Sequence, residues 1–289
     1  MTNTPCSPSL SVGFFSAQLT CLVLCLASHA TDFTASGDAS HLAARGAVGT
    51  GASAIAASQL SELSHELYEA LDSEQGKYVS SDPILIGMEP GVSIQWVAGS
   101  PGQDHKGRVL LSAGCLELMA GLAHAKAMDR VQPGFFTLYA VRLATNTNAT
   151  ESAVLADIAK AKRRAETLAN DEASNFRELI GMAVAIELAH HYLGHYRKDV
   201  VRPGIAVGQE GSINDRLTAK EWEAALEAGT RHALGLGLGI EGMVALYQAV
   251  DQMPTRPAWT AYFVPSRINC RAVNRQLAKV ERGFFKRGN

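Results

Sequence analysis

The spacing of apolar residues along the chain predicts a mostly helical protein. Leu60, Leu63, Leu67 and Leu71 recur at the three- and four-residue intervals that place side chains on one face of a helix. Similar stripes predict helices over residues 115–131, 174–197, 243–253 and 266–285. A Thr-x-x-Glu capping pattern that starts at Thr218 predicts the beginning of one more helix.

Two short apolar runs predict β-strands. They cover residues 93–97 and 108–112, and the turn-forming residues Gly99, Pro101 and Gly102 separate them. Because a short turn joins the two runs, we expect a β hairpin. The predicted fold class is therefore mostly α (α+β), with helices packed around a small hairpin.

The first 30 residues have the pattern of a secretory signal peptide. An apolar run over residues 19–27 is followed by Ser28 and Ala30, which are small residues at the third-last and last positions before a cut after Ala30. Export would take the mature chain to the periplasm or out of the cell. Residues 31–57 are rich in Ala, Gly, Ser and Thr, so we expect a flexible leader there. Residues 58–289 are then expected to form a single domain.

Composition narrows the classes of partner. The 289 residues carry a net charge of −2 with both signs interspersed, which argues against a nucleic-acid partner. The N-terminal apolar run is short and interrupted, so no stable membrane span is expected after signal cleavage. Cleavage would leave Cys115 and Cys270, and the sequence leaves open whether these two form a disulfide.

Candidate chemistry is concentrated near the end of the helix predicted over residues 174–197. At about 100° per residue, Glu187, His190, His191 and His195 fall within an arc of roughly 140° shared with apolar residues, so these side chains should point inward. A buried carboxylate that faces imidazoles needs a proton, hydrogen bonds or a metal ion to offset its desolvation, and neutral imidazole is a common zinc ligand. The pattern predicts a metal or catalytic site. The alternative is a hydrogen-bonded core cluster in which Glu187 orients one histidine.

Three segments resemble zinc metallopeptidases of the gluzincin type, in particular BepA-like and HtpX-like enzymes, over roughly residues 90–280. Residues 107–114 resemble the strand that leads into a helix in that family. Glu187–His190 resembles the end of its His-Glu-x-x-His zinc motif, and residues 221–225 resemble its Glu-x-x-Ala-Asp segment. Ile186 stands in place of the first zinc histidine and Ala225 in place of the aspartate, so the zinc motif is degenerate.

The resemblance implies a helical metallopeptidase-like domain that uses zinc to hydrolyse a polypeptide. By this resemblance Glu187 would be the general base, His190 a zinc ligand and Glu221 the third ligand. Glu221 also has a structural interpretation, because it completes the capping box that begins at Thr218.

The loss of the first histidine directs attention to substitute ligands. Glu187, His191 and His195 recur at four-residue intervals, and neighbouring members of such a series can share one metal. Because the outer two would lie about 12 Å apart on a straight helix, two of them together with Glu221 or another distant group form the more plausible set.

Two functions therefore stay open. The first is an exported metallopeptidase-like protein with zinc-dependent peptide hydrolysis, in which Glu187 is the base. The second is a catalytically inactive envelope protein that binds a metal or a polypeptide partner. The second hypothesis predicts that Glu187 is hydrogen-bonded to His191 or to a backbone group, with no room for a metal.

Overall fold

The computed structural model of the chain describes residues 51–87, 89, 91–97, 106–145, 165–196 and 213–287. The predicted signal peptide and residues 31–50 of the predicted leader lie outside these ranges. The described part contains seven α-helices and one small three-stranded sheet, which confirms the expected mostly α fold class. The helices are α1 (Gly51–Glu69), α2 (Ala113–Asp129), α3 (Phe135–Thr145), α4 (Ala165–Tyr192), α5 (Ala219–Gly235), α6 (Glu241–Gln252) and α7 (Cys270–Arg287). The strands are β1 (Val79–Ile86), β2 (Ile94–Val97) and β3 (Gly107–Leu111).

Helix α4 is the centre of the fold. It packs against α2, α5 and α6, and every residue from 179 to 190 is buried. Such a helix is apolar all round, because each of its faces meets a neighbouring element. A polar side chain in this segment is therefore buried whichever way it points.

Close helix contacts on α4 depend on glycine. A Cβ atom at Gly229 of α5 would lie 2.5 Å from the Cα of Ile186, so α5 can approach α4 only where a side chain is missing. Gly242 of α6 lies against the backbone of Leu179 in the same manner, and the carboxylate of Glu178 accepts a hydrogen bond from its N–H at 3.2 Å. Glu178 thereby satisfies a free N–H in the first turn of α6.

The sheet has the order β1-β3-β2. Strands β2 and β3 pair in antiparallel orientation, with Trp96 opposite Val109, as the predicted hairpin requires. Strand β1 was not predicted, and it pairs with β3 in parallel orientation. Helix α1 covers β1, where Ser64 donates to Asp82 at 2.5 Å and accepts from the N–H of Ile84 at 3.2 Å.

Helix boundaries differ from the predicted ones at several points. Helix α1 begins at Gly51, so residues 51–57 are helical although they were assigned to the leader. Helix α3 was not predicted; Asp129 helps to start it by accepting hydrogen bonds from the N–H groups of Gly134 and Phe136. Helix α4 begins at Ala165, before the predicted start, and it ends at Tyr192 rather than continuing to residue 197.

None of the described helices is both long and apolar enough to cross a bilayer. Cys115 and Cys270 are both buried, and both are free thiols.

Candidate functional site

The end of α4 brings His195 back towards His190. The N–H of Leu193 donates to Ala189 O and the N–H of Gly194 donates to His191 O, and Gly194 has a φ of 76°. Glycine adopts this left-handed conformation without steric cost, which makes it a common helix terminator. The periodicity implied that His195 lies two turns beyond Glu187 on a straight helix. Because the helix ends at Tyr192, His195 instead lies next to His190.

His190 and His195 form the histidine pair. Their Nδ1 atoms lie 2.8 Å apart, and both residues are buried, His190 completely and His195 to 4% exposure. At that distance one ring donates its N–H to the other, so the accepting Nδ1 carries no proton. The Nε2 atom of His190 is also buried, and it has no hydrogen bond of normal geometry in the structure.

Asn214 fixes the other side of the histidine pair. It is 3% exposed, and its amide nitrogen donates to Ala261 O at 3.2 Å and to Tyr262 O at 2.9 Å. The Asn214 side chain also lies beside His190, where it favours the protonated form of that imidazole. Asn214 thus connects the surroundings of the histidine pair to the short helical segment Ala258–Tyr262.

Glu187 belongs to a different set of contacts. Tyr196 donates its hydroxyl hydrogen to Glu187 Oε1, and the backbone N–H of Trp96 donates to Tyr196 Oη at 3.4 Å. The Trp96 backbone also hydrogen-bonds the Glu187 carboxyl and favours its ionised form. The Glu187 carboxyl is therefore joined to strand β2 through Tyr196 and the Trp96 backbone.

Trp96 and His191 close this side of the cluster. Their rings stack with centroids 3.8 Å apart at an interplanar angle of 14°, and His191 is only half-buried. The indole also lies directly over Gly107, where a Cβ atom would come within 2.1 Å of the ring. Gly107 thus leaves the space that Trp96 fills, and His191 contacts that ring on the outer side of the histidine pair.

The two sets differ in their proton equilibria. Burial raises the pKa of Glu187 to about 8, against the smaller opposing effect of the Trp96 backbone hydrogen bond. Burial and the neighbouring His195 lower the pKa of His190 to about 3. At neutral pH Glu187 is therefore a neutral acid and His190 a neutral base.

Glu221 has the structural role that its capping pattern indicates. Its carboxylate accepts from the N–H and from the hydroxyl of Thr218, both at 2.9 Å, and its own N–H donates to Thr218 Oγ1 at 3.2 Å. This is a complete capping box at the start of α5.

The five predicted site residues therefore do not converge on one point. Within the described ranges, no group of three or more His, Cys, Asp or Glu side chains is arranged to hold a metal ion. The structure brings together two of the predicted ligands, His190 and His195, through an Nδ1–Nδ1 hydrogen bond, whereas a zinc peptidase uses three protein ligands.

Comparison of the chain with known protein families, curated proteins and solved structures gives no match. The site is thus described from its own contacts. Sequence reasoning missed Trp96, Tyr196 and Asn214, the three residues that hold the cluster. Tyr196 directly follows His195 and could have been added to the cluster, whereas no local pattern marks Trp96 or Asn214.

Proposed function

We propose that this chain is an exported metallopeptidase-like protein that does not hydrolyse peptides and that binds a transition metal such as zinc through His190 and His195. The observation that carries the proposal is the division of the cluster. Asn214 lies beside the histidine pair, whereas Tyr196 and the backbone of Trp96 lie against the Glu187 carboxyl. The proposed zinc ligands and the predicted general base, Glu187, therefore contact different residues.

The surroundings of the histidine pair favour metal binding. A metal ion binds neutral imidazole, and burial keeps His190 neutral by lowering its pKa to about 3. Histidine ligands usually have their second ring nitrogen held by a neighbouring acceptor, and the Asn214 side chain is such a neighbour for His190. A bound ion would link the last turn of α4 to the residues that directly follow Gly194.

The state of Glu187 argues against hydrolysis. A general base must be ionised at the working pH and must reach the water that it deprotonates. The pKa of Glu187 is raised to about 8, and its carboxyl already accepts hydrogen bonds from Tyr196 and Trp96. It is therefore protonated at neutral pH and occupied by partners within the fold.

The experiment is a zinc titration by calorimetry on metal-free protein, with His190→Ala, His195→Ala and the control His191→Ala. His191 is adjacent in sequence but stacks on Trp96. We expect one zinc ion per chain for the wild type and for the control, and an affinity at least about 10-fold lower for the other two variants. Circular dichroism of each variant confirms that it is folded.

Two results would contradict the proposal. One is zinc binding that survives both His190→Ala and His195→Ala. The other is that the zinc-loaded protein hydrolyses an unfolded polypeptide and that Glu187→Gln abolishes this activity. That result would favour the peptidase hypothesis, with a polypeptide as the substrate. If the zinc-loaded protein does not hydrolyse the polypeptide, the result supports a metal-binding protein without peptidase activity.

A further inference from the structure

Helix α7 has two opposite faces of different chemistry. Its apolar face is buried through Val273, Leu277 and Val280, which are between 0% and 5% exposed. Through this face the helix packs on α5 and α6. The opposite face is directed away from the core.

The outer face carries five cations, which we call the basic stripe: Arg271, Arg275, Lys279, Arg282 and Lys286. All five are exposed. At about 100° per residue they fall within about 80° of one another, and at about 1.5 Å per residue they span about 23 Å. The centre of the stripe is about 180° from the buried face.

The basic stripe is largely unneutralised within the described part of the chain. Arg271 pairs with Asp251, with an N···O distance of 2.8 Å, and no other member of the stripe has an ion pair with a described residue. The net charge of the whole chain is −2, so the five cations are a local concentration of charge rather than a general property of the surface. A flat row of cations is complementary to a surface of fixed negative charge.

An exposed aromatic residue flanks the stripe. Phe285 is 58% exposed, whereas its neighbour Phe284 is packed partly against the core. The phosphates of an intact duplex are contacted by cations, whereas a bilayer also accepts an aromatic ring at the boundary between head groups and acyl chains. Cations beside an exposed phenyl ring therefore favour a lipid surface.

We propose that the basic stripe and Phe285 form a docking surface for an anionic phospholipid bilayer. The lipid phosphates would contact the five cations, and the ring of Phe285 would enter the interface. Such contact is peripheral and reversible, since it rests on a single helix face without a membrane span. The inference is independent of the histidine pair and of the proposed function.

The test is co-sedimentation of the full chain with vesicles of phosphatidylcholine alone and of phosphatidylcholine mixed with phosphatidylglycerol. The stripe variant is Lys279→Gln with Arg282→Gln. The matched control is Lys77→Gln with Arg130→Gln, a double variant with the same change in net charge. Both residues are exposed cations, and they lie on parts of the chain that do not pack on α7. The apolar N-terminal run is present in every variant, so binding to neutral vesicles measures its contribution.

We expect binding to the anionic vesicles that falls with rising salt. Each lost cation should weaken it about 5-fold, so the stripe variant should bind about 25-fold more weakly than the control. Phe285→Ser should weaken vesicle binding while leaving retention on a polyanion column unchanged.

Three results would overturn the proposal. The first is equal binding to neutral and anionic vesicles, and the second is equal binding by the stripe variant and its control. The third is stripe-dependent binding to duplex DNA without binding to the anionic vesicles, which would assign the surface to a soluble polyanion.

Discussion

The contact between α4 and α5 gives a sharp test of the packing that positions the cluster. Gly229→Ala would place a Cβ atom 2.5 Å from Ile186 Cα, 2.6 Å from Ile186 N and 2.8 Å from Ala185 C. Carbon atoms pack at about 3.5–4.0 Å, so the two helices would have to separate by roughly 1 Å. The obstacle is backbone, which cannot rotate away as a side chain can.

The expected magnitude follows from two opposing effects. Overpacking of this kind costs about 3 kcal/mol, at the upper end of the usual range because both contact partners are main chain. Alanine in a helix interior recovers about 1 kcal/mol relative to glycine. We therefore expect Gly229→Ala to lower the free energy of unfolding by about 2 kcal/mol.

Gly283→Ala on α7 is the matched control. A Cβ atom there would have no heavy atom within 4 Å, so only the helix propensity changes and the free energy of unfolding should rise by about 1 kcal/mol. The assay is urea unfolding followed by circular dichroism, with the midpoints compared at equal slope. A Gly229→Ala protein as stable as the wild type would refute the close approach of α5 to α4.

Further predictions concern the two halves of the cluster. In zinc-free protein, the raised pKa of Glu187 stabilises the fold below its ordinary value of 4.5, and this contribution is lost as pH rises towards about 8. The lowered pKa of His190 stabilises the fold above 6.5, and this contribution is lost as pH falls towards about 3. Thermal unfolding should therefore show the highest stability between pH 4.5 and pH 6.5, the ordinary pKa values of the two groups. Glu187→Gln should remove the loss of stability at alkaline pH, which amounts to at most about 5 kcal/mol. If the variant loses stability at alkaline pH as the wild type does, another group causes that loss. Asn214→Ala should weaken zinc binding about 10-fold whereas Tyr196→Phe should leave it unchanged, and equal effects in calorimetry would contradict the division of the cluster. Ile186→His restores the first histidine of the zinc motif and should raise zinc affinity; an unchanged titration curve would count against the resemblance to gluzincins.

The sequence predicted the elements that carry strong periodicity or a capping pattern. Helices α1, α2, α4, α6 and α7, the capping box at Thr218 and the β2–β3 pairing were all found near their expected places. Strand β1 and helix α3 were missed. Strand β1 contains Pro83 and polar residues, and it is stabilised by α1 and β3, which are distant in sequence. Such tertiary contacts leave little local signal.

The site was predicted in its residues but not in its arrangement. The arc of side chains implied that Glu187 and the histidines meet because they share one helix face. Burial of Glu187 and His190 instead follows from the position of α4 at the centre of the fold, and His195 reaches His190 because Gly194 ends the helix. The partners Trp96 and Asn214 come from other elements, so spacing along α4 could not indicate that the cluster divides.

The most direct test of the central claim is the stability gained on adding zinc. The account predicts that zinc at about 100 times its dissociation constant stabilises the wild type and His191→Ala by about 2.7 kcal/mol, and that the same zinc concentration stabilises His195→Ala by about 1.4 kcal/mol or less. Equal stabilisation of His195→Ala, or no stabilisation of the wild type by zinc, would contradict metal binding by the histidine pair.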